Sequence, residues 1–147
     1  MRLTMNETMR GWLELNQTRE EEPFEFSIKV QLGKGPRLWA PQPFSGTVCL
    51  SARGYETRVD GELTFKISGP RYELDFEFPG IGLVRAAGEK TYSLTELKES
   101  LITCPLTLYH QGEAIGYAEV RYEDSMIAFP FKAFRIEADG SPASAHS

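Results

Sequence analysis

Histidine is the side chain best suited to acid–base and metal chemistry near neutral pH, and the chain has only two, His110 and His146. His110 precedes Gln111-Gly112, a pair typical of turns, so we expect a solvent-exposed turn histidine. A general base also needs a nucleophile and an orienting partner, and the sequence shows neither. His146 stands alone near the end of the chain. The sequence therefore predicts no catalytic residue, no metal site and no cofactor.

The two cysteines, Cys49 and Cys104, form neither a CxxC pair nor a zinc-binding spacing. We interpret them as buried thiols, because free cysteine behaves as a small apolar side chain. A disulfide would require the fold to bring their two strands together. Reduced thiols, and the lack of an apolar signal-peptide core in the first nine residues, favour a cytoplasmic protein.

Carboxylates are plentiful and fall in two kinds of setting. Glu20–Glu22 precede Pro23 and have the pattern of a solvated loop. Glu73, Asp75 and Glu77 alternate with apolar residues, so they share one face of a predicted strand. A paired-carboxylate enzyme would hold such groups in a cleft, whereas the wet face of a half-buried sheet is the simpler interpretation.

The longest irregular segment, residues 33–43, contains candidate binding residues. Its start, Gly33–Arg37, is similar to an anion-binding loop but lacks the GxxxxGK[ST] pattern between a strand and a helix. An aromatic side chain in a long loop can cap a pocket or anchor a partner, so Arg37, Leu38 and Trp39 are a candidate ligand- or partner-binding site. The alternative, in which Trp39 folds back over the core, is favoured.

Composition bounds the class of protein. The 147 residues, 41% of them hydrophobic and 12% aromatic, suit one domain with one core. The formal net charge is -5 and no Lys/Arg cluster occurs, which argues against nucleic-acid and anionic-membrane partners. No apolar run approaches the ~20 residues of a membrane span.

Period-two alternation of apolar and polar residues dominates the chain and predicts β-strands. The predicted strands are Met9–Leu15, Phe24–Leu32, Phe44–Leu50, Val59–Ile67, Tyr72–Phe78, Leu106–Tyr109, Ala114–Tyr122 and Met126–Ile136. We expect residues 110–113 to form the turn of a hairpin. Pro130 interrupts the last segment, which indicates an edge or bulged strand.

One segment has helical spacing. Ser93 and Glu96 match a capping box, and leucines follow until Pro105, which predicts a short helix from about Leu94 to Ile102. The chain as a whole is therefore predicted to be a mainly antiparallel all-β domain over residues 1–137, with a disordered tail over 138–147. About eight or nine strands suit a barrel or a two-sheet sandwich, and a lipocalin-like barrel is among the alternatives.

The stretch Asn6–Trp12 resembles an accessory segment of cholesterol-oxidase-like flavoprotein oxidoreductases of the glucose–methanol–choline class. Phe44–Val48, Tyr72–Phe78 and the late hairpin with Gly116 are further points of similarity. The resemblance implies a β-rich accessory module that binds a ligand or a partner protein beside an enzyme. It carries over no flavin chemistry, because the chain has no GxGxxG fingerprint.

Two functions follow as expectations, and a third, an enzyme with an unrecognised site, ranks below them. The first is a non-catalytic barrel or accessory module that binds a small apolar ligand, with Trp12 as a further candidate contact. The second is a protein-interaction or oligomerisation domain with a filled core. Phe134 lies on the opposite face of the last strand from its apolar neighbours, so that strand can pair with a second copy.

Overall fold

The structure is a computed structural model that describes residues 2–89, 103–122 and 134–137. In these residues the regular elements are strands and two short 3₁₀ helices. The strands are β1 (Arg2–Leu15), β2 (Glu21–Leu32), β3 (Gln42–Leu50), β4 (Tyr55–Lys66), β5 (Gly69–Phe78), β6 (Gly82–Glu89), β7 (Thr103–His110), β8 (Glu113–Tyr122) and β9 (Phe134–Glu137). The 3₁₀ helices span Gly35–Trp39 and Ser51–Arg53.

The strands form a closed barrel, because β1 is hydrogen-bonded on both of its edges. One edge pairs with β2 from Leu3 to Glu14. The other pairs with β8 over Met9–Leu15 and with β9 over Arg2–Met5, so β9 continues beside β1 where β8 has ended. Strands β1 to β8 follow one another antiparallel around the wall. This closure decides between the two predicted architectures in favour of the barrel.

The alternation predicted from the sequence places one side of each strand in the barrel interior. In β2, for example, Phe24, Phe26, Ile28 and Val30 are buried. The largest fully buried side chains are Tyr72, Phe24, Phe26, Phe76, Phe78, Met9, Leu13, Leu15, Leu50, Leu63 and Leu74. The hydrophobic effect of this shared interior holds the wall together.

Several predicted boundaries need correction. The strand predicted to reach Ile67 ends at Lys66, and Ile67 lies in the β4–β5 turn with 94% of its surface exposed. The predicted turn at 110–113 shortens to Gln111-Gly112, because His110 and Glu113 still pair as strand residues. The predicted helix at 94–102, residues 126–133 of the last predicted strand and the tail at 138–147 lie outside the described residues.

The cysteines are not joined by a disulfide. Cys104 is buried on the inner side of β7, as predicted, whereas Cys49 is only half-buried and belongs to the outer side of β3. The wall of the barrel therefore separates the two thiols.

The two ends of the barrel have different connections. At one end, which we call the turn end, short links join β1 to β2, β3 to β4, β5 to β6 and β7 to β8. At the other, the loop end, residues 33–41 join β2 to β3, residues 67–68 join β4 to β5, and β6 and β8 finish. A ligand approaching the interior would meet different chemistry at each end.

Candidate functional site

The barrel interior contains a polar pair, Glu7 and Tyr72, toward the loop end. Glu7 lies on β1 between the buried Met5 and Met9, and Tyr72 lies on β5, which is not a neighbour of β1. The Tyr72 hydroxyl donates a hydrogen bond of 2.6 Å to Glu7 Oε1. Exposed fractions of 3% for Glu7 and 1% for Tyr72 place this bond in the barrel interior, away from bulk solvent.

The second carboxylate oxygen of Glu7 has no hydrogen-bond partner among the residues that the structure describes. Oε2 is buried, and no donor from these residues reaches it. Among the residues that the structure describes, Glu7 is the only buried side chain of a charged type. Burying a polar atom without a partner costs roughly 1–3 kcal/mol of folding free energy. This oxygen therefore destabilises the fold unless another group donates a hydrogen bond to it.

Tyr72 is held in its protonated form. Its pKa is raised well above that of an exposed tyrosine, chiefly by burial and then by the nearby Glu7 carboxylate. Cys104, on β7, and Tyr122, on β8, contribute in the same direction, which places both close to the pair. Tyr72 therefore remains a hydrogen-bond donor to Glu7 throughout the physiological pH range.

Aromatic side chains fill the interior on the turn-end side of the polar pair. Phe24 stacks on Phe76 with ring centroids 6.0 Å apart. Phe26 and Phe78 extend this group at 5.9 Å from Phe24 and 6.3 Å from Phe76, respectively. The aromatic group therefore occupies the interior between the Glu7–Tyr72 pair and the turn end.

Gln42 organises the loop at that end. Its side chain is buried, with Oε1 accepting a 2.6 Å hydrogen bond from the Gly33 amide. Its Nε2 donates to the carbonyl oxygens of Arg37 at 2.7 Å and Ala40 at 2.6 Å. One inward-facing amide thus satisfies three backbone groups of the β2–β3 connection.

This loop carries the first group of predicted binding residues. Leu38 packs against the core, Arg37 is exposed, and Trp39 is 62% exposed. The favoured interpretation that Trp39 folds back over the core is therefore wrong, because the shorter Leu38 takes that place. Arg37, Leu38 and Trp39 remain candidates at the rim of the loop end.

The other predicted residues lie elsewhere. Trp12 is on the outer side of β1, where its ring meets Tyr117 edge to face with centroids 5.7 Å apart. The Tyr117 hydroxyl donates to Glu14 at 3.3 Å. The barrel wall separates Trp12 from Glu7 and Tyr72.

Phe134 begins β9, and its backbone pairs with Met5 on β1. This pairing confirms a strand at Phe134.

The remaining candidates for chemistry have structural partners. His110 is half-buried rather than exposed, and its Nδ1 lies 2.9 Å from the Leu83 carbonyl oxygen, so Nδ1 carries the proton. It borders a shallow, open cleft of about 310 Å³ at the turn end. On the outer side of the barrel, Asp75 forms an ion pair with Arg85 at 2.8 Å, and Glu73 forms an ion pair with Arg71. The carboxylates of β5 are thus on its solvated face, as predicted.

The described part of the chain contains no group of three potential metal ligands. It also contains no helix that is long and apolar enough to span a membrane.

Sequence reasoning did not single out Glu7, Tyr72 or Gln42. Glutamate usually lies on a surface, so Glu7 looks unremarkable in a polar segment. One signal was present, because Glu7 has the same parity as Met5 and Met9, which face the interior. Its contact with Tyr72 depends on closure of the barrel, which no local pattern encodes.

Comparison with known proteins gives no match among family models, curated proteins or solved structures. The resemblance to cholesterol-oxidase-like accessory segments therefore stays a prediction.

Proposed function

We propose that this protein is a non-catalytic binding barrel that holds one small, largely apolar molecule by a single polar group at the Glu7–Tyr72 pair. The observation that carries the proposal is the buried Glu7 Oε2, which has no hydrogen-bond partner in the described part of the chain. A bound molecule that donates a hydrogen bond to this oxygen would remove the cost of its burial.

The surroundings of the pair support an apolar ligand body. Inward-facing neighbours in the strand register are Ile28 beside Glu7 and Leu63 beside Tyr72, and both are buried. Small-molecule sites commonly combine such an apolar lining with a few convergent polar groups. Barrels of about eight strands can enclose one small ligand, so the architecture is compatible with this use.

The test is native mass spectrometry of the purified protein under gentle and then denaturing conditions. We expect one small organic molecule per chain in the gentle spectrum, lost on denaturation. Where the chain purifies empty, titration with the apolar fluorophore N-phenyl-1-naphthylamine reports the site, and we expect saturable binding of one dye per chain.

The matched variants are Glu7→Gln combined with Tyr72→Phe, and Glu14→Gln as the control. Glu14 lies on the same strand but on the outer side of the barrel, so its change removes the same charge without touching the interior. We expect the double variant to lose the ligand and the control to keep it. A wild-type chain that carries no ligand and binds no dye would overturn the proposal.

An accessory or interaction role is the second candidate, and exposed Trp39 favours it. An indole that is 62% exposed at a loop rim has the exposure of an interface anchor. If the protein is an interaction domain, Trp39→Ala should lower the mass of an assembly measured by light scattering, and Trp12→Phe should not. If the wild-type protein and Trp12→Phe are both monomeric, self-association is excluded.

A further inference from the structure

We infer that the ligand's polar group is an amine, bound as an ammonium ion to Glu7, and that the site discriminates against carboxylic acids. This inference deepens the proposed function and rests on it. It concerns the chemical class of the ligand, which follows from the donors and acceptors inside the barrel.

With Glu7 as a carboxylate, the hydrogen bond from Tyr72 leaves one oxygen of the pair, Oε2, as an acceptor without a donor. Tyr72 uses its hydroxyl proton to donate to Glu7 Oε1. No donor among the described residues reaches the lone pairs of Glu7 Oε2. A ligand that completes this pair must therefore supply an N–H or O–H group.

The charges in the interior indicate that the ligand group that donates to Oε2 is an amine. No lysine or arginine is among the buried residues of the described chain, so none of these residues supplies a cation to Glu7 in the interior. A buried charge is tolerated when an opposite charge pairs with it directly. An ammonium group supplies that charge and the missing N–H donor together.

The same pairing arises from either protonation state of Glu7. If the carboxylate is ionised, it binds a protonated amine directly. If the carboxyl group is neutral, its proton moves to the lone pair of a neutral amine, and the products are the same carboxylate and ammonium ion. Tyr72 retains its proton in both cases and holds Oε1, because burial raises the pKa of its hydroxyl.

A carboxylic acid meets the opposite conditions. Its carboxylate would bring a second negative charge next to the Glu7 carboxylate, and like charges that are shielded from bulk water repel strongly. The described interior offers no arginine or lysine to bind it. An alcohol lies between the two classes, since it can donate a hydrogen bond to Oε2 without neutralising the charge.

The experiment compares three head groups on one chain length, namely octylamine, 1-octanol and octanoate, as competitors of N-phenyl-1-naphthylamine at pH 7.4. We expect octylamine to bind at least about tenfold more tightly than 1-octanol, the factor expected when a neutral hydrogen bond becomes charge-assisted, and octanoate to bind weakest. Equal affinities for the three head groups in the wild-type protein would overturn the inference.

Two variants separate the interior site from surface attraction by the negative net charge. We expect Glu7→Gln to remove most of the preference for octylamine while leaving 1-octanol binding within about threefold, since the amide keeps the shape but not the charge. Glu14→Gln should keep the preference. A preference that survives in folded Glu7→Gln protein would also contradict the inference, because the charge responsible would then lie elsewhere.

The outcomes distinguish the two proposals. If neither the dye nor any octyl compound binds, the proposed function fails. If the dye and all three compounds bind with the same affinity, the binding function stands and the amine class is wrong. The comparison on wild-type protein decides the point even if Glu7→Gln does not fold.

Discussion

At the scale of single residues, Glu7 sets the chemistry of the barrel. A glutamate on the inner side of a strand must be desolvated when the wall closes, and one hydrogen bond from Tyr72 satisfies only half of its carboxylate. The rest of the described interior is almost wholly apolar, so the pair is the point at which a ligand could be recognised by more than shape.

Removing the Tyr72 hydroxyl should destabilise the fold. Tyr72→Phe deletes the hydrogen bond that Glu7 Oε1 accepts and leaves a buried oxygen unsatisfied, which costs about 1–3 kcal/mol of unfolding free energy. Urea unfolding followed by circular dichroism measures this. Tyr117→Phe, which removes an exposed hydroxyl, is the control and should change stability by less than about 0.5 kcal/mol. Equal stability of the two variants would contradict the prediction.

Tyr72 should also make stability fall at alkaline pH. Its folded-state pKa is raised above the ordinary value of 10.0, so above that pH the unfolded chain releases a proton that the folded chain retains. The stabilisation is complete below the unfolded pKa and is lost as pH rises toward the folded one, at about 1.4 kcal/mol per pH unit.

Urea unfolding of the wild type and Tyr72→Phe from about pH 9 to pH 11 tests this linkage. The wild type should lose more stability over this range than the variant, because the phenylalanine cannot ionise. Parallel pH profiles would mean that Tyr72 does not titrate differently in the two states.

At the scale of elements, the β2–β3 connection depends on one inward-facing side chain. Gln42 bonds one amide and two carbonyl groups of residues 33–41, and these bonds hold Leu38 on the core and Trp39 at the rim. The conformation of this loop is therefore dictated by a residue of the following strand.

Gln42→Ala should increase local opening of the β2–β3 loop while the barrel stays folded. Three backbone groups lose their partner, so we expect trypsin to cut after Lys34 or Arg37 at least about fivefold faster, since cleavage follows local opening. Gln17→Ala, an exposed change in the β1–β2 turn, is the control. Unchanged cleavage rates would show that other contacts suffice to hold the loop.

Close approach of strands depends on glycine. A Cβ atom at Gly46, on β3, would overlap the carbonyl oxygen of Ser27 on β2. Because backbone cannot give way as a side chain can, Gly46→Ala should destabilise the protein by more than about 3 kcal/mol. Ser45→Ala, on the exposed neighbouring residue, should stay within about 0.5 kcal/mol. Chemical denaturation of the two variants measures the difference, and a stable Gly46→Ala protein would show that the strands can separate.

At the scale of the whole molecule, the first strand closes the barrel. β1 joins β2, its immediate successor, to β8, more than a hundred residues later, so closure depends on long-range pairing. In the closed wall every strand from β1 to β8 pairs with a neighbour on both edges, with the shortest pairing, Arg85–Ala87 with Thr107–Tyr109, between β6 and β7.

Closure should make folding slow for a domain of this size. Non-local pairings of this kind give refolding in milliseconds to seconds, since loop-closure entropy is lost before the contacts form. In a Trp39→Phe variant the remaining indole, Trp12, lies between β2 and β8 and reports closure. Stopped-flow fluorescence should show a slow phase with most of the amplitude. A complete change within the dead time would contradict the prediction.

The sequence by itself determined the all-β class and most strands, because alternation with period two is a local property that each strand carries alone. It also determined which side of Phe24–Leu32 and Tyr72–Phe78 is buried. Alternation also predicted that the polar side chains Glu73 and Asp75 lie on the solvated face of their strand. Their ion pairs with Arg71 and Arg85 on that face agree with the prediction.

Only the tertiary structure decided that the sheet closes and that Glu7 meets Tyr72 across it. Closure depends on which edges pair, and alternation is identical in a barrel and a sandwich. Long-range contacts likewise decided two other side chains. Leu38 packs on the core and leaves Trp39 exposed, and the Leu83 carbonyl lies at hydrogen-bond distance from the half-buried His110. The candidate site joins residues 65 positions apart, so its geometry exists only in the folded chain.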